Sequence, residues 1–548
     1  MNKNSNVVPQ TLSARRNARA PKGYLCLVLH AHLPFVRHPE NDYMLEENWL
    51  YEALTETYLP LLAHVTTLVD DRVPFRLTMS LTPTLCSMLS DALLQERYLR
   101  RLDKLIELAE KETCRTAGKN PEFSAAAAMY LERFTRCRWL YEEVFERDCV
   151  AAFRKFQEQG VLEILASAAS HAFLPAMQSS REAVRAQIKT GADAYRGSFG
   201  RDPLGFWLPE CGYYPGLETI LDEEDIRYFI VDTHGVLYAD PRPACGAFAP
   251  VVCSGAPVAA FGRDGASSRS VWSADEGYPG HPEYREFYRD IGFDLDIDYL
   301  KPYIDPAGIR VQTGIKYYRV TDRKSPDKEP YRRLEALRAA DEHAADFLRK
   351  RENDLRSCAP LMDRPPCIVA PYDAELFGHW WYEGPEWLNF LIRKIAFDQG
   401  NIALITPSDY LALHPQNQRC EPSFSSWGEG GYSAMWLNES NDWIYRHLSR
   451  MEERMSECAR RFPDARGLLR RTLNQMAREL MLAESSDWAF IMKSGTMVNY
   501  AVRRTREHIT AFLQLYEGVV KNAVDEKLLA TLESRNNIFP DIDYRVYA

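Results

Sequence analysis

Residues 24–34 read YLCLVLHAHLP, six apolar side chains in a row that give way to His30 and His32. A short apolar run with no polar alternation belongs to a strand buried on both faces, as in a parallel sheet covered by helices. Working outward, Leu50, Leu54, Tyr58, Leu61, Val65 and Leu68 share one helical face. FRLTMSL at 75–81 predicts a second strand, halted by Thr82-Pro83. Helical patterns over 84–112 and 122–159, the second containing Ala125–Ala128, lead to a strand at 161–169 (VLEILASAA). A helix over 181–197, a strand at 204–208 (LGFWL), a helix over 216–226 and a strand at 228–232 (YFIVD) continue the series. Strand–helix alternation predicts βαβ units and a parallel sheet.

After that the pattern turns irregular. Residues 239–310 are rich in Gly, Pro and Ser and read as a long excursion from the sheet. Alternation resumes with a helix over 329–356, a strand at 367–371 (CIVAP), a helix over 385–398 and a strand at 402–406 (IALIT). From 436 onward the pattern is helical, with amphipathic stretches at 439–461, 465–484 and 497–522 and Pro463 between the first two. The expected fold class is α/β: a (β/α) barrel over 23–236 and 281–415, an inserted loop or subdomain over 237–280, and a C-terminal helical domain over 416–548. No internal repeat is visible.

A chain of 548 residues is too long for one ordinary core, so two or three structural units are expected. The net charge of -10 argues against a nucleic-acid partner, because phosphate contacts need clustered Lys and Arg. No run of 18 apolar residues predicts a membrane span. The 12 cysteines are scattered without a CxxC pair, which fits neither a zinc ribbon nor a small disulfide scaffold and predicts free thiols in a reducing cytoplasm. Aromatics make up 12% of the chain and suit stacking on sugar rings, but a large barrel core explains them as well. Residues 1–22 carry Lys3, Arg15, Arg16, Arg19 and Lys22 with no acid and no apolar stretch. They read as a disordered basic tail with a faint transit-peptide character.

Reactive side chains stand at the predicted strand ends: His30 and His32, His171 (SHAFLP), Glu210 (WLPECGY), Asp232 and His234 (VDTHG), and Asp373 (APYDAELFGHWW). In a parallel barrel all C-terminal strand ends converge on one face, so distance along the chain does not keep Glu210 from Asp373. Two carboxylates flanking one glycosidic bond are the minimal apparatus of glycoside chemistry, and retention needs them about 5–5.5 Å apart. Aromatics around one of them would raise its pKa so that it can serve as acid. Taken singly, a Glu after a strand is a cap or ion-pair partner. The HxH pair is less bland, since alternation puts both imidazoles on one side, and it is open between metal ligands and sugar hydrogen-bonders. A metal-dependent barrel hydrolase, with His30, His32, His171 and Asp373 around Zn²⁺, is therefore the rival of a different class. It leaves WLPECGY unexplained, and neither HExxH nor HxxEH occurs. A glucan-binding protein with a decayed site is a third reading, opposed by the presence of both carboxylates.

HAHLPFVRHPE (30–40), EILASAASHAFLP (163–175), FWLPECGYYPGLE (206–218), APYDAELFGHWWYEGP (370–385) and SSWGEGGYSAMWLNESNDW (425–443) resemble, in order, the five signature regions of glycoside hydrolase family 57. The resemblance runs from about residue 23 through SSDWAF at 485–490. The last two regions and VDTHGVLY (231–238) are similar to the α-glucan branching enzymes of the family rather than to its amylases or 4-α-glucanotransferases. The resemblance implies a distorted (β/α)7 barrel, no cofactor and no required metal. It implies a covalent glycosyl-enzyme on Glu210. Asp373 would protonate the leaving oxygen and then deprotonate the 6-hydroxyl of an acceptor α-glucan such as amylose or glycogen. It further assigns Tyr238 to a mobile loop that controls water. Arg263 (AFGRD), Gly280 (GYPG), Trp427, Trp436 and Asp487 (SSDW) become glucan binders, and His30, His32 and His171 line the donor subsite. Trp436 and Trp427 have core packing as their alternative. One departure stands out: where some branching enzymes carry an aromatic before GYPG, this chain has Glu276-Gly277, and Trp272 is the candidate substitute.

Overall fold

The structure is a computed structural model and describes residues 20–273, 276–322 and 324–548. The basic tail expected over 1–22 therefore lies, as far as residue 19, outside the described residues. The strands are β1 (Gly23–Ala31), β2 (Leu77–Leu81), β3 (Leu162–Ser167), β4 (Gly205–Trp207), β5 (Tyr228–Val231), β6 (Val251–Cys253), β7 (Ala259–Gly262), β8 (Cys367–Asp373), β9 (Ile402–Leu404) and β10 (Arg419–Cys420).

Seven of them run parallel in the order β7-β5-β4-β3-β2-β1-β8. A single parallel bridge, Arg263 to Val369, joins the two ends and closes the sheet, so the ring is a distorted seven-stranded barrel. β6 is antiparallel to β7, and β10 extends that edge. Side-chain alternation divides β1 between two cores. Leu25, Leu27 and Leu29 pack outward against the helices, while Cys26 and Val28 pack inward with Leu165, Trp207, Ile230, Phe261 and Val369. The same parity carries His30 on β1 and Asp373 on β8 to the inner side, and the β1–β8 register pairs those two residues.

The seventh barrel strand corrects the expectation for 237–280. β7 lies inside the stretch read as an excursion, because its four residues (AAFG) carry no β-branched or alternating signal. The predicted strand at 402–406 forms β9, but it pairs only with Gly23–Leu25 at the start of β1 and takes no place in the ring. The helical pattern read over 84–112 is two helices, Pro83–Leu89 and Ala92–Lys119, parted by the N-cap Asp91, whose side chain accepts from the Leu94 N–H.

Beyond β10 the chain is helical, with Tyr445–Arg461, Gly467–Ala483, Ser486–Ser494, Val498–Val520 and Glu526–Arg535. This layer docks on the barrel mouth through backbone. Ser486 N–H donates to the His171 carbonyl at 3.1 Å, and Ala172 forms an antiparallel bridge with Ser485. All twelve cysteines are free thiols. No described helix is long and apolar enough to cross a membrane.

Candidate active site

Glu210 follows β4 in a tight turn. Trp207 points inward and Leu208 outward, so strict alternation would send residue 210 outward too. A left-handed backbone at Glu210 (φ 61°) and Cys211 (φ 50°) breaks that alternation and turns the carboxylate toward the mouth. Such a conformation in a non-glycine residue costs on the order of 1–3 kcal/mol and persists where its surroundings over-determine it. Here Trp427 N–H donates to the Glu210 carbonyl at 2.9 Å. The Trp427 ring N–H also donates to Glu210 Oε2 at 2.8 Å, and the Ser486 hydroxyl lies 3.0 Å from Oε1. Burial raises the Glu210 carboxyl to about 7, although Trp427 and Ser486 act in the other direction.

Asp373 is the last residue of β8 and its carboxyl meets a different environment. Burial first, then the charges of Glu375 and Glu210, push it well above the ordinary carboxylate range, with Arg263 opposing. Both carboxyls of the mouth are thus shifted upward by burial, with hydrogen-bond donors opposing the shift at Glu210 and Arg263 opposing it at Asp373.

The three histidines join these carboxyls. His30 stacks on Trp207 at 4.5 Å between ring centres, and its Nε2 lies 3.0 Å from His171 Nε2. His32 stacks on His171 at 3.8 Å and bonds Asp487 through Nε2 at 3.0 Å and Thr82 through Nδ1 at 3.0 Å. Burial disfavours the His32 imidazolium, but Asp487 outweighs it and raises the pKa; Asp487 in turn is lowered, burial notwithstanding, by that histidine. This arrangement does not fit the metal-hydrolase set. The group with ligand atoms near one another is His32, His171 and Asp487, without Asp373. Two imidazoles stacked 17° from parallel cannot both aim an in-plane lone pair at one ion, and both His32 nitrogens already have partners in Thr82 and Asp487.

Arg263 follows β7. It bonds Asp232 at 3.1 Å and Ser268 at 2.7 Å, and its guanidinium lies 5.4 Å from the Trp427 ring centre. Asp232 also faces His234, whose Nε2 donates to the Gly431 carbonyl at 2.9 Å, so the loop carrying Trp427 is tied to β5. Beside Arg263 opens a cleft of about 360 Å³ lined by Thr233, Arg269 and Trp272. Trp272 is 40% exposed and meets Trp427 edge-on at 6.1 Å.

Other expected residues are placed differently. Trp436 is 1% exposed and stacks on Phe173 at 4.7 Å, with Gly428 against its ring edge. Its ring packs beneath the Trp427 loop. Tyr238 is 56% exposed at the end of the helix Thr233–Leu237, under the Arg242 guanidinium. Gly280 ends the turn Tyr278–Gly280, whose Tyr278 hydroxyl donates to Asp346 at 2.8 Å. Sequence reasoning passed over Glu375, Tyr58, Ser486 and Ser80. Glu375 accepts from the His32 N–H at 3.2 Å and from the Tyr58 hydroxyl, and burial raises it to about 6. Its signal was present, as a second acid two residues after Asp373 in the same motif. A serine in a strand or a helix start gives no such signal.

Residues 26–421 match the family model of glycosyl hydrolase family 57, and residues 447–547 match that of the 1,4-alpha-glucan branching enzyme C-terminal region. The chain is 32% identical to the 1,4-alpha-glucan branching enzyme TK1436 of Thermococcus kodakarensis, over 94% of this chain and 77% of that protein. It is 30% identical to a probable 1,4-alpha-glucan branching enzyme of Mycobacterium tuberculosis over 89% and 90% of the two chains. Among solved structures, the alpha-amylase AmyC from Thermotoga maritima superposes with a TM-score of 0.90 at 46% identity, covering 96% of this chain and 99% of the other. The GH57-type branching enzyme from Pyrococcus horikoshii gives 0.86 at 31% identity, with 96% and 97% covered. With a buried carboxylate after β4, another at the end of β8 and a family match over most of the barrel, this chain belongs to glycosyl hydrolase family 57.

Proposed function

We infer that this chain is a 1,4-α-glucan branching enzyme that works with retention through a glycosyl-enzyme on Glu210. The observation that carries the reading is the unlike setting of the two carboxyls. Glu210 receives hydrogen bonds on both oxygens, which oppose the upward push of its burial, whereas Asp373 is pushed well above the ordinary carboxylate range by burial and then by Glu375 and Glu210. In this mechanism Glu210 attacks the anomeric carbon while Asp373 gives its proton to the leaving O4 of the glucan. The reducing-end part of the donor chain departs. Asp373, now a carboxylate, takes the proton of an incoming 6-hydroxyl, and that oxygen displaces Glu210 to form an α-1,6 link. Trp427 and Trp272 offer aromatic faces to glucose rings, and Arg263, His32 and Asp487 offer hydrogen bonds to hydroxyls. The substrates assigned are amylose-like donors and glycogen-like acceptors, and the free thiols fit a cytoplasmic setting.

The branching assignment is supported by the C-terminal match and by relatives of that name over nearly the whole chain. One observation favours hydrolysis instead, the 46% identity to a protein described as an alpha-amylase. Incubation with amylose separates the two. Branching yields α-1,6 linkages, seen by NMR and by chain-length profiling after debranching, with few new reducing ends. Reducing ends that rise in step with turnover, without α-1,6 links, would replace the assignment with an amylase.

A further inference from the structure

Glu210 Oε1 is the end of a chain of four hydrogen bonds. Ser486 Oγ lies 3.0 Å from it, His171 Nδ1 lies 2.9 Å from Ser486 Oγ, His30 Nε2 lies 3.0 Å from His171 Nε2, and Ser80 Oγ lies 2.9 Å from His30 Nδ1. Ser80, His30, His171 and Ser486 are all buried. Proton counting fixes the direction of every bond. An ionised carboxylate only accepts, so Ser486 donates to Glu210. A hydroxyl has one proton, so the bond between Ser486 and His171 uses an Nδ1–H of the histidine. Burial first, then the neighbouring imidazoles, keep the pKa of His30 and of His171 well below the usual value, so each ring carries one N–H. His171 Nε2 is then an acceptor, His30 Nε2 a donor, His30 Nδ1 an acceptor, and the Ser80 hydroxyl the donor that starts the chain. All four protons point toward Glu210.

We propose that Ser80 and Ser486 are positioning residues for Glu210, acting at the two ends of a one-way hydrogen-bond chain that runs through His30 and His171. The inference rests on Glu210 as the nucleophile and adds how its carboxylate is held. Ser486 occupies Oε1 and Trp427 occupies Oε2, so the plane of the carboxylate is fixed before the anomeric carbon arrives. When Glu210 becomes an ester its oxygen remains an acceptor, and the chain keeps its direction through both half-reactions. Burial opposes ionisation of Glu210, and His32, His171, Asp487, Cys211 and Asp373 all face it. A donor whose proton cannot turn elsewhere favours the anion against that burial.

The test is the pH dependence of kcat/KM on amylose in the full-length chain, with Ser486→Ala, Ser80→Ala, the double variant and Ser80→Thr. Loss of the Ser486 donor raises the Glu210 pKa, so the acid limb moves to higher pH, by about one unit for a hydrogen bond to a charged group. Ser80→Ala moves the limb the same way by a smaller amount, about 0.3 unit, because the start of the chain weakens while the last bond remains. The double variant shifts no further than Ser486→Ala alone, since both act through one path. Ser80→Thr keeps a hydroxyl and restores the limb. Histidine ¹⁵N NMR of the unaltered protein reads the chain without any variant: at pH 7.5, His30 carries its proton on Nε2 and His171 on Nδ1. An unmoved limb in a folded Ser80→Ala protein, or the same tautomer on both histidines, overturns the proposal. Glu210→Gln tells the two ideas apart. Full activity in that variant removes the nucleophile assignment, whereas an inactive Glu210→Gln beside an unmoved Ser80→Ala limb removes only the chain.

Discussion

Asp373 sits between two other acids, and its proton depends on them. Burial supplies the largest upward push on its pKa, and the negative charge of Glu375 comes next. Glu375 itself touches no position that a reacting bond requires; it accepts from the His32 N–H and from Tyr58. Replacing it with Gln keeps the size and hydrogen-bonding capacity and removes the charge. The pKa of Asp373 then falls, the protonated acid is lost at lower pH, and the alkaline limb of kcat/KM moves down. A pH profile of Glu375→Gln beside the unaltered enzyme checks this, and an alkaline limb that stays in place would assign the proton to another group. The residues legible from sequence were those whose side-chain type is rare at a strand end, such as His30, His171, Glu210 and Asp373. Ser486 and Ser80 were not, because a serine acquires meaning only from its partners. Trp436 is ambiguous in sequence for the same reason, since an indole that stacks on sugar and one that stacks on Phe173 look alike in a motif.

At the scale of elements, the loop after β8 holds Asp373 and Glu375 at their heights above the barrel. Gly378 fixes that loop. Its backbone lies at φ 111°, and a Cβ there would come within 1.8 Å of the Glu56 carbonyl oxygen in the π-helical turn Leu54–Tyr58. Backbone cannot yield as a side-chain tip can, so Gly378→Ala combines a steric clash with a disfavoured conformation. The expected outcome is a loss of about 3 kcal/mol or more in stability. Activity falls further than the remaining folded fraction accounts for, as Glu375 and Asp373 are displaced together. Denaturant unfolding and turnover measured on the same sample check both parts. The strand–helix order was readable because buried parallel strands such as β1 are continuous apolar runs. β7 was hidden because its residues are few and none is β-branched. It earns its place in the ring from pairing with β5 and from the bridge between Arg263 and Val369, which are long-range facts that no local window contains.

At the scale of the whole molecule, the catalytic mouth is shared by the barrel and the C-terminal helices, which bring Ser486 and Asp487 to Glu210 and His32. The joint between them contains an unfavourable feature. Glu484, just past the helix Gly467–Ala483, bonds the Gln187 amide of the barrel at 2.6 Å, and burial and the nearby Glu452 raise its pKa well above the ordinary value. Glu452, on the helix Tyr445–Arg461, is raised to about 7, by burial first and then by Glu453. Tyr547 from the C-terminal turn faces the same two acids. Both carboxyls bind their protons more tightly folded than unfolded. Between the unfolded pKa of 4.5 and the folded value of about 7 the unfolded chain has released a proton that the folded chain keeps. By linkage, the Glu452 contribution makes the folded state less stable as pH rises through that window, and the loss is complete above it; Glu484 acts in the same direction. Glu452→Gln removes this term for one of the two and lowers the neighbouring Glu484 toward its ordinary range. The variant is expected to melt a few degrees higher than the unaltered protein at pH 8, from a gain of no more than ~3 kcal/mol, and at the same temperature at pH 4.5. Calorimetry at the two pH values decides the matter: equal gains at both would attribute the effect to packing, and no gain at pH 8 would mean that Glu452 meets water or a partner that the buried joint does not provide.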